Sequence, residues 1–439
     1  MKRVLPLLSL AILLAGCTPI VISPESNDAQ SDGAQSPGKS PSISTQPTQE
    51  PQSTSTPSPS NAEASTSIPG LPFDVTGQKE NFTDVTVLDV KDAAPFAGME
   101  VGQTKPVDNM PGPFVSSILQ DGQAFGSLTT RNTKAGDGLE SYLTVPGIIA
   151  QDGAFTPLTE VENTSPIKEL KGSNPDKLYF EAQNSSASGN WVLWREGSAG
   201  KPGAMRTLES DDWRIVGWNR STGTVQEFAS AFLLHGDRFA PSATWDVAPT
   251  TDGKSIFFEA MVPNGDSWKN EIIAIPLDSP GTVKEIADGT MPVANNKGVG
   301  FLKGNQVLYA GNEIFGIKGD GWQLTRLAIS DRLLVATAVN EERAWLLIWN
   351  LDDSKMIAAI DTGSDWAEAS AYGSKIVWGN SSWSGNPSMY FWDSSETQKS
   401  PELLGELQGL SVPRIGPGLI AVPGEDQDGA IIWKLFQIE

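Results

Sequence analysis

His235 is the only histidine and Cys17 the only cysteine of the 439 residues, which narrows the chemistry the side chains could perform. A zinc site draws on several His and Cys ligands, so no metal site is expected, and nothing calls for a cofactor. A Ser-His-Asp triad built on His235 would need a nucleophile elbow of the Gly-x-Ser-x-Gly kind. Ser381-Ser382-Trp383-Ser384-Gly385 lacks the leading glycine in register, and His235 reads as a loop histidine. The 53 Asp and Glu residues leave room for a carboxylate pair that hydrolyses a glycosidic bond, but spacing selects no pair. Glu425-Asp426-Gln427-Asp428-Gly429 gathers oxygens that could hold calcium; without the first Asp and distal Glu of an EF-hand loop it reads as a hairpin turn. Of the 14 tryptophans, Trp268, Trp322, Trp366 and Trp383 stand in loop-like contexts. An exposed ring there could stack on a sugar or anchor a partner protein; covering the end of a sheet is the competing role.

The thiol of Cys17 has a more specific setting. Lys2 and Arg3 precede an apolar run from Val4 to Leu14, which has the charge and length of a signal segment. The run is shorter than the roughly 20 apolar residues that span a bilayer. It ends in Leu14-Ala15-Gly16-Cys17, which resembles the lipobox of bacterial lipoproteins. That resemblance implies cleavage after residue 16, a diacylglyceryl group on Cys17, and an extracytoplasmic protein anchored to the cell membrane, or to an outer membrane if the host has one. With Cys17 consumed, no disulfide is available.

Residues 17–70 form the expected tether. More than half of residues 18–70 are Ser, Thr or Pro, with no aromatic residue before Phe73. Such a segment buries too little apolar surface to offset the entropy of ordering. As a flexible coil it would reach roughly 40 Å.

Any site must be positioned by the remaining residues, divided here into an extension over 71–114 and a domain over 115–439. Short apolar or alternating runs separated by Gly, Asp, Asn and Ser turns make this an all-β text. They group at about 40–50 residues, the size of a propeller blade. In the clearest unit, Thr251-Asp252-Gly253-Lys254 is a turn before the strand Ser255–Ala260, then come strands at Glu271–Asp278 and Thr282–Ile286. The unit from Glu368 to Gly405 repeats it with strands at Lys375–Asn380 and Ser388–Asp393. These two units resemble blades of TolB-like and WD40-like β-propellers, although the Gly-His and Trp-Asp dipeptides of true WD40 repeats are missing. The resemblance implies a propeller, with seven blades the expected count and six or eight the neighbouring ones. The last unit ends one strand short, and the alternating run Phe82–Val90 has no local partner. It is expected to supply the missing strand and close the ring.

A formal net charge of −22 opposes nucleic acid and anionic headgroups. The expected function is a non-enzymatic binding or scaffold module presented to a protein or envelope glycan. A carbohydrate-active enzyme with a carboxylate pair in the funnel is the alternative. An assembly factor of the TolB kind is a third.

Overall fold

The computed structural model describes residues 65–91, 93–107, 112–132, 141–158, 178–198, 212–235, 247–265, 267–381, 387–407 and 412–439. The signal segment, Cys17, most of the tether and Trp383 lie outside them. The folded unit runs from Glu63 to the C-terminus. It is an all-β propeller of seven blades, the count expected from the repeat.

The first blade is built from Phe114–Ile118, Ala124–Asn132, Ser141–Ile149 and Phe155–Pro157, and the second from Leu178–Ser188, Trp191–Ser198, Asp212–Asn219 and Thr224–Ser230. Thr250–Thr251, Ser255–Asn264, Ser267–Pro276 and Lys284–Asp288 make the third. The fourth has Thr290–Asn295, Gly298–Lys303, Gln306–Tyr309 and Asn312–Lys318; the fifth, Gln323–Ile329, Leu333–Val339, Ala344–Asn350 and Lys355–Asp361. Trp366–Tyr372, Lys375–Ser381, Ser388–Asp393 and Glu402–Glu406 form the sixth. The seventh has only three strands of its own, Arg414–Gly416, Leu419–Glu425 and Ile431–Gln437.

Alternation along each strand sends apolar side chains to both faces of a blade, because both faces are covered by neighbours. Each interface between consecutive blades accordingly has its own apolar core, and so does the junction of the seventh blade with the first. Trp194, Trp345, Trp349, Trp378 and Trp392, expected between blades, are all buried there. The ring is therefore closed by packing on every side.

The N-terminal segment runs along the outer edges of four blades in turn. Asp74–Thr76 pairs with Asn312–Lys318 of the fourth blade, and Ser65–Ser67 adds beyond it. The hydroxyls of Ser65 and Ser67 donate to Asp74. Ser65–Ser67 falls inside the span that composition assigned to the tether, since hydroxyl residues suit an edge strand and a coil alike. Thr86–Asp89 pairs in parallel with Lys355–Asp361 of the fifth blade, and Ala94–Pro95 with Glu402–Glu406 of the sixth. Met99–Gln103 then lies antiparallel to Ile431–Gln437 as the fourth strand of the seventh blade.

An N-terminal strand does close the ring, but it is not the run 82–90. Phe82 ends a 3-10 turn that begins at Lys79, and Thr86–Asp89 is an added fifth strand on the fifth blade. Its alternation is real, with Val85 and Val87 against one interblade core and Leu88 and Val90 against the next. Every outer edge rewards that pattern equally, so it does not say which edge. Chain path decides: after Gln103 only ten residues separate the closing strand from Phe114, where the first blade begins.

The closing strand fits closely against the first blade. A Cβ on Gly102 would lie 2.2 Å from the Gln151 carbonyl oxygen, and one on Gly153 (φ +86°) would lie 1.8 Å from that of Gln103. Beyond it, Thr104 is fully buried; its N–H donates to the Trp433 carbonyl and its Oγ1 accepts from the Trp433 N–H, both at 2.9 Å.

Candidate functional site: the central channel

The innermost strand of each blade lines the axis of a propeller, so side chains there can meet across blades. Polar groups stitch neighbouring inner strands together. Ser185 Oγ donates to Ser116 Oγ, joining the second blade to the first. Ser186 Oγ donates to the Pro249 carbonyl at 2.5 Å, and the Ala294 N–H to Thr250 Oγ1 at 3.1 Å. Asn295 Nδ2 donates to the Ser330 carbonyl at 2.7 Å, Ser330 Oγ to that of Gly373 at 2.8 Å, and the Ile415 N–H to Ser370 Oγ at 3.4 Å. These bonds fix the inner strands relative to one another.

On that frame stands a chain of charges. Arg326 lies on the inner strand of the fifth blade, Glu368 on that of the sixth and Arg414 on that of the seventh. Arg326 Nε is 3.7 Å from Glu368 Oε2, and an Arg414 terminal nitrogen is 3.6 Å from Glu368 Oε1. A terminal nitrogen of Arg326 also reaches the Met291 sulfur, at 3.6 Å, on the inner strand of the fourth blade. Arg326 and Glu368 thus each bridge the inner strands on both sides of their own.

Local structure explains the aim. The ladder of the fifth blade shifts register between Leu324 and Arg326, and a bulge of this kind re-aims a side chain. Met291 sits at φ +56°, an uncommon conformation for a residue with a Cβ. Its N–H is turned to donate to Glu259 on the second strand of the third blade. On the sixth blade Ala367, Ala369 and Ala371 pack toward the fifth. Strict alternation therefore turns Trp366, Glu368 and Ser370 to the opposite side, along an inner ladder with no register shift.

The charges are partly sheltered, with side-chain exposures of 20% for Arg326, 25% for Glu368 and 12% for Arg414. Burial pulls the Arg414 guanidinium below its usual value, and attraction to Glu368 opposes that shift. Among the described side chains, Glu368 is the one carboxylate on an inner strand. It stands between two guanidiniums.

At the channel end where the inner strands finish, ion pairs link blades at the surface. Lys297 Nζ is 2.7 Å from Asp352 Oδ1, and Arg220 is 2.5 Å from Asp121 Oδ2. The hydrogen bond from Lys297 holds Asp352 below the usual carboxylate range, against the opposing effect of burial.

The four tryptophans singled out by context have different fates. Trp366 opens the inner strand of the sixth blade, half-buried on the side that carries Glu368. Trp268 is 40% exposed near the start of the third strand of the third blade, opposite Pro263 in a hairpin. Trp322 is only 6% exposed, with its ring 4.7 Å from that of Phe73. The N-terminal segment covers its ring, a contact about 250 residues away that local context does not reveal. Trp383 lies outside the described residues.

His235 ends a five-residue helix, Ala231–His235. Asp426 Oδ1 accepts from the N–H groups of Asp428 and Ala430, which makes the loop expected to be a hairpin turn one. The described residues contain no cluster of His, Cys, Asp or Glu suited to a metal ion. They also contain no helix long and apolar enough to cross a membrane. Arg326, Glu368 and Arg414 were not picked out by sequence reasoning. Their one signal is a charge inside an inner-strand run, which means something only once the blades are assigned.

The fold thus defines the class of the chain: a seven-bladed β-propeller, with Arg326, Glu368 and Arg414 linked across three successive inner strands. No protein-family model matches the sequence, and no curated protein matches it. Among solved structures, a chain of the mitotic checkpoint complex is similar, at 9% identity and a TM-score of 0.42, over 79% of this chain and 95% of that one. A puromycin-hydrolysing peptidase of Mycobacterium tuberculosis is similar at 13% identity and a TM-score of 0.40, over 76% of this chain and 52% of the peptidase. A prolyl endopeptidase is similar at 12% and 0.34, over 71% and 54%. The chain spans about half the length of either peptidase.

Proposed function

We propose that the chain is a lipid-anchored, extracytoplasmic binding module, in which the propeller presents its channel and surrounding loops to a protein or glycan of the cell envelope. The supporting observation is the channel itself: Arg326, Glu368 and Arg414 on three successive rigid strands, with Trp366 beside them. Propellers serve widely as scaffolds for recognition, and function resides in the site. A fixed set of charged donors and acceptors next to an aromatic ring is suited to recognition. Hydrolysis of a glycan would require a second carboxylate about 5–9.5 Å from the first, and Glu368 instead is held between arginines. The anchor belongs to the same reading, through the signal segment and Cys17.

Two measurements test it. Capture from crosslinked cells should retrieve a reproducible envelope partner, and retrieval should fall when Arg414 is replaced by Gln. In fractionated cells, Cys17→Ser should move the protein out of the membrane pellet. Turnover of an envelope glycan by the purified chain would overturn the binding reading. A Cys17→Ser protein that stayed with the membrane would overturn the anchor.

A further inference from the structure

Resting on that reading, and deepening it, we propose that the channel mouth binds a sugar bearing a single carboxylate, a uronic acid unit of a glycan. Arg414 would take the carboxylate in place of Glu368, and Trp366 the face of the ring.

Three observations carry this. First, the Arg414 guanidinium is 12% exposed, yet its one ion pair or hydrogen bond among the described residues is the 3.6 Å contact with Glu368. Charge-assisted hydrogen bonds run to about 2.7–2.9 Å. One contact of 3.6 Å leaves most of the guanidinium's fork of donors unused by Glu368, and that fork matches a carboxylate bidentately. The pair is set for exchange: an incoming carboxylate that gained two short bonds would displace one held by a single long contact.

Second, Trp366 lies on the same side of the same strand as Glu368, two residues away, a separation of about 7 Å along the strand. That is about the width of one pyranose ring, so a sugar with its carboxylate at Arg414 lies within reach of the indole. The apolar face of a pyranose suits a half-buried indole with no further charge required.

Third, the net charge of −22 disfavours polyanions at the surface, which argues against an acidic peptide or a nucleic acid. A carboxylate carried singly on an otherwise uncharged sugar meets less of that repulsion.

The test uses the full chain and three small probes in NMR titrations at low salt: methyl glucuronide, methyl glucoside and N-acetylglutamate amide. Methyl glucuronide should bind saturably, at least roughly tenfold tighter than the glucoside, which lacks the charge-assisted bonds. It should also bind more tightly than the glutamate derivative, which lacks the ring. Arg414→Gln should weaken glucuronide binding about tenfold or more, and Trp366→Ala should weaken both sugars by a few-fold.

The decisive variant is Glu368→Gln. It removes the competing carboxylate and should strengthen glucuronide binding roughly twofold to fivefold, a gain that misfolding does not produce. Equal binding of glucuronide and glucoside, preference for the glutamate derivative, or weaker binding by Glu368→Gln would each overturn the proposal. If the chain still captured an envelope partner while no uronate bound, this inference would fail and the binding reading would stand. If neither occurred, both would fall.

Discussion

Replacing Gly102 with Ala should open the ring at its junction, and the size of the effect follows from the geometry. The added Cβ would stand 2.2 Å from the Gln151 carbonyl oxygen and 2.8 Å from the Asp152 Cα. Both neighbours are backbone, so no side chain can swing aside. The turn is held from its other side, where the Gly153 N–H donates to the Ala150 carbonyl at 2.9 Å. Relief requires a shift of about 1 Å, either in the turn or by peeling Met99–Gln103 from the seventh blade. Overpacking of this kind costs roughly 1–3 kcal/mol, and the rigid neighbours place Gly102 in the upper part, about 2–3 kcal/mol. Unfolding entropy is about 2.1 cal/mol/K per residue. Over the roughly 375 residues from Glu63 to Glu439, 1 kcal/mol is then worth about 1.3 °C, and Tm should fall by about 3–4 °C. Gly405→Ala is the control, because its Cβ would meet nothing closer than 3.8 Å; its Tm should change by less than about 1 °C. Calorimetry of both variants and the parent decides. An unchanged Tm for Gly102→Ala, or an equal fall for Gly405→Ala, would refute the closure geometry.

Trp322→Ala should destabilise the fold by about 3–5 kcal/mol, because the indole is buried against Phe73; thermal unfolding measures this, and a neutral result would contradict that packing. Asp393→Asn should cost about 1 kcal/mol at neutral pH, because bonds to a charged acceptor are worth more than bonds to a neutral one, with a pH dependence of known sign. Burial raises the Asp393 pKa, but bonds from Ser395 (2.9 Å from N–H, 2.8 Å from hydroxyl) and Ser374 (2.8 Å) outweigh it, and the carboxyl is held below its ordinary value of 3.8. A depressed pKa contributes stability that is complete above the unfolded value and is lost as pH falls through the folded one. The parent's advantage over Asp393→Asn should therefore be constant from pH 7 to about 5 and shrink below about 4, as read from denaturation midpoints; a gap that widened in acid would contradict the assignment.

Much of the fold was legible because a blade is a local object. In the third blade, the turn at Thr251–Lys254 and the strands after it needed only alternation and turn residues, and the structure has strands at Ser255–Asn264, Ser267–Pro276 and Lys284–Asp288. Thr86–Asp89 shows the limit. Its pattern said strand, and its pairing is set by contacts some 270 residues away in the fifth blade. The burial of Trp322 was hidden for the same reason: a Gly-Asp-Gly context reads as exposed until Phe73 arrives from the N-terminus. The channel charges were hidden differently. Arg326, Glu368 and Arg414 are spaced by blade repeats, so nothing local relates them. Trp366 was the part of the site within reach, because a tryptophan opening a strand after Gly363-Ser364-Asp365 stands out without knowledge of the ring.

The most direct test of the closed ring is a pair of engineered cross-links in full chains that carry Cys17→Ser. Met99 and Gln437 are directly opposite in the closing ladder, and both are exposed. Val87 pairs with Ala359 on another blade. Under mild oxidation of the folded protein, Met99→Cys with Gln437→Cys should form an intramolecular disulfide, seen by mass and by faster migration on a non-reducing gel. Val87→Cys with Gln437→Cys should stay reduced. The opposite pattern would mean that another segment completes the seventh blade, and the account of how this propeller closes would be wrong.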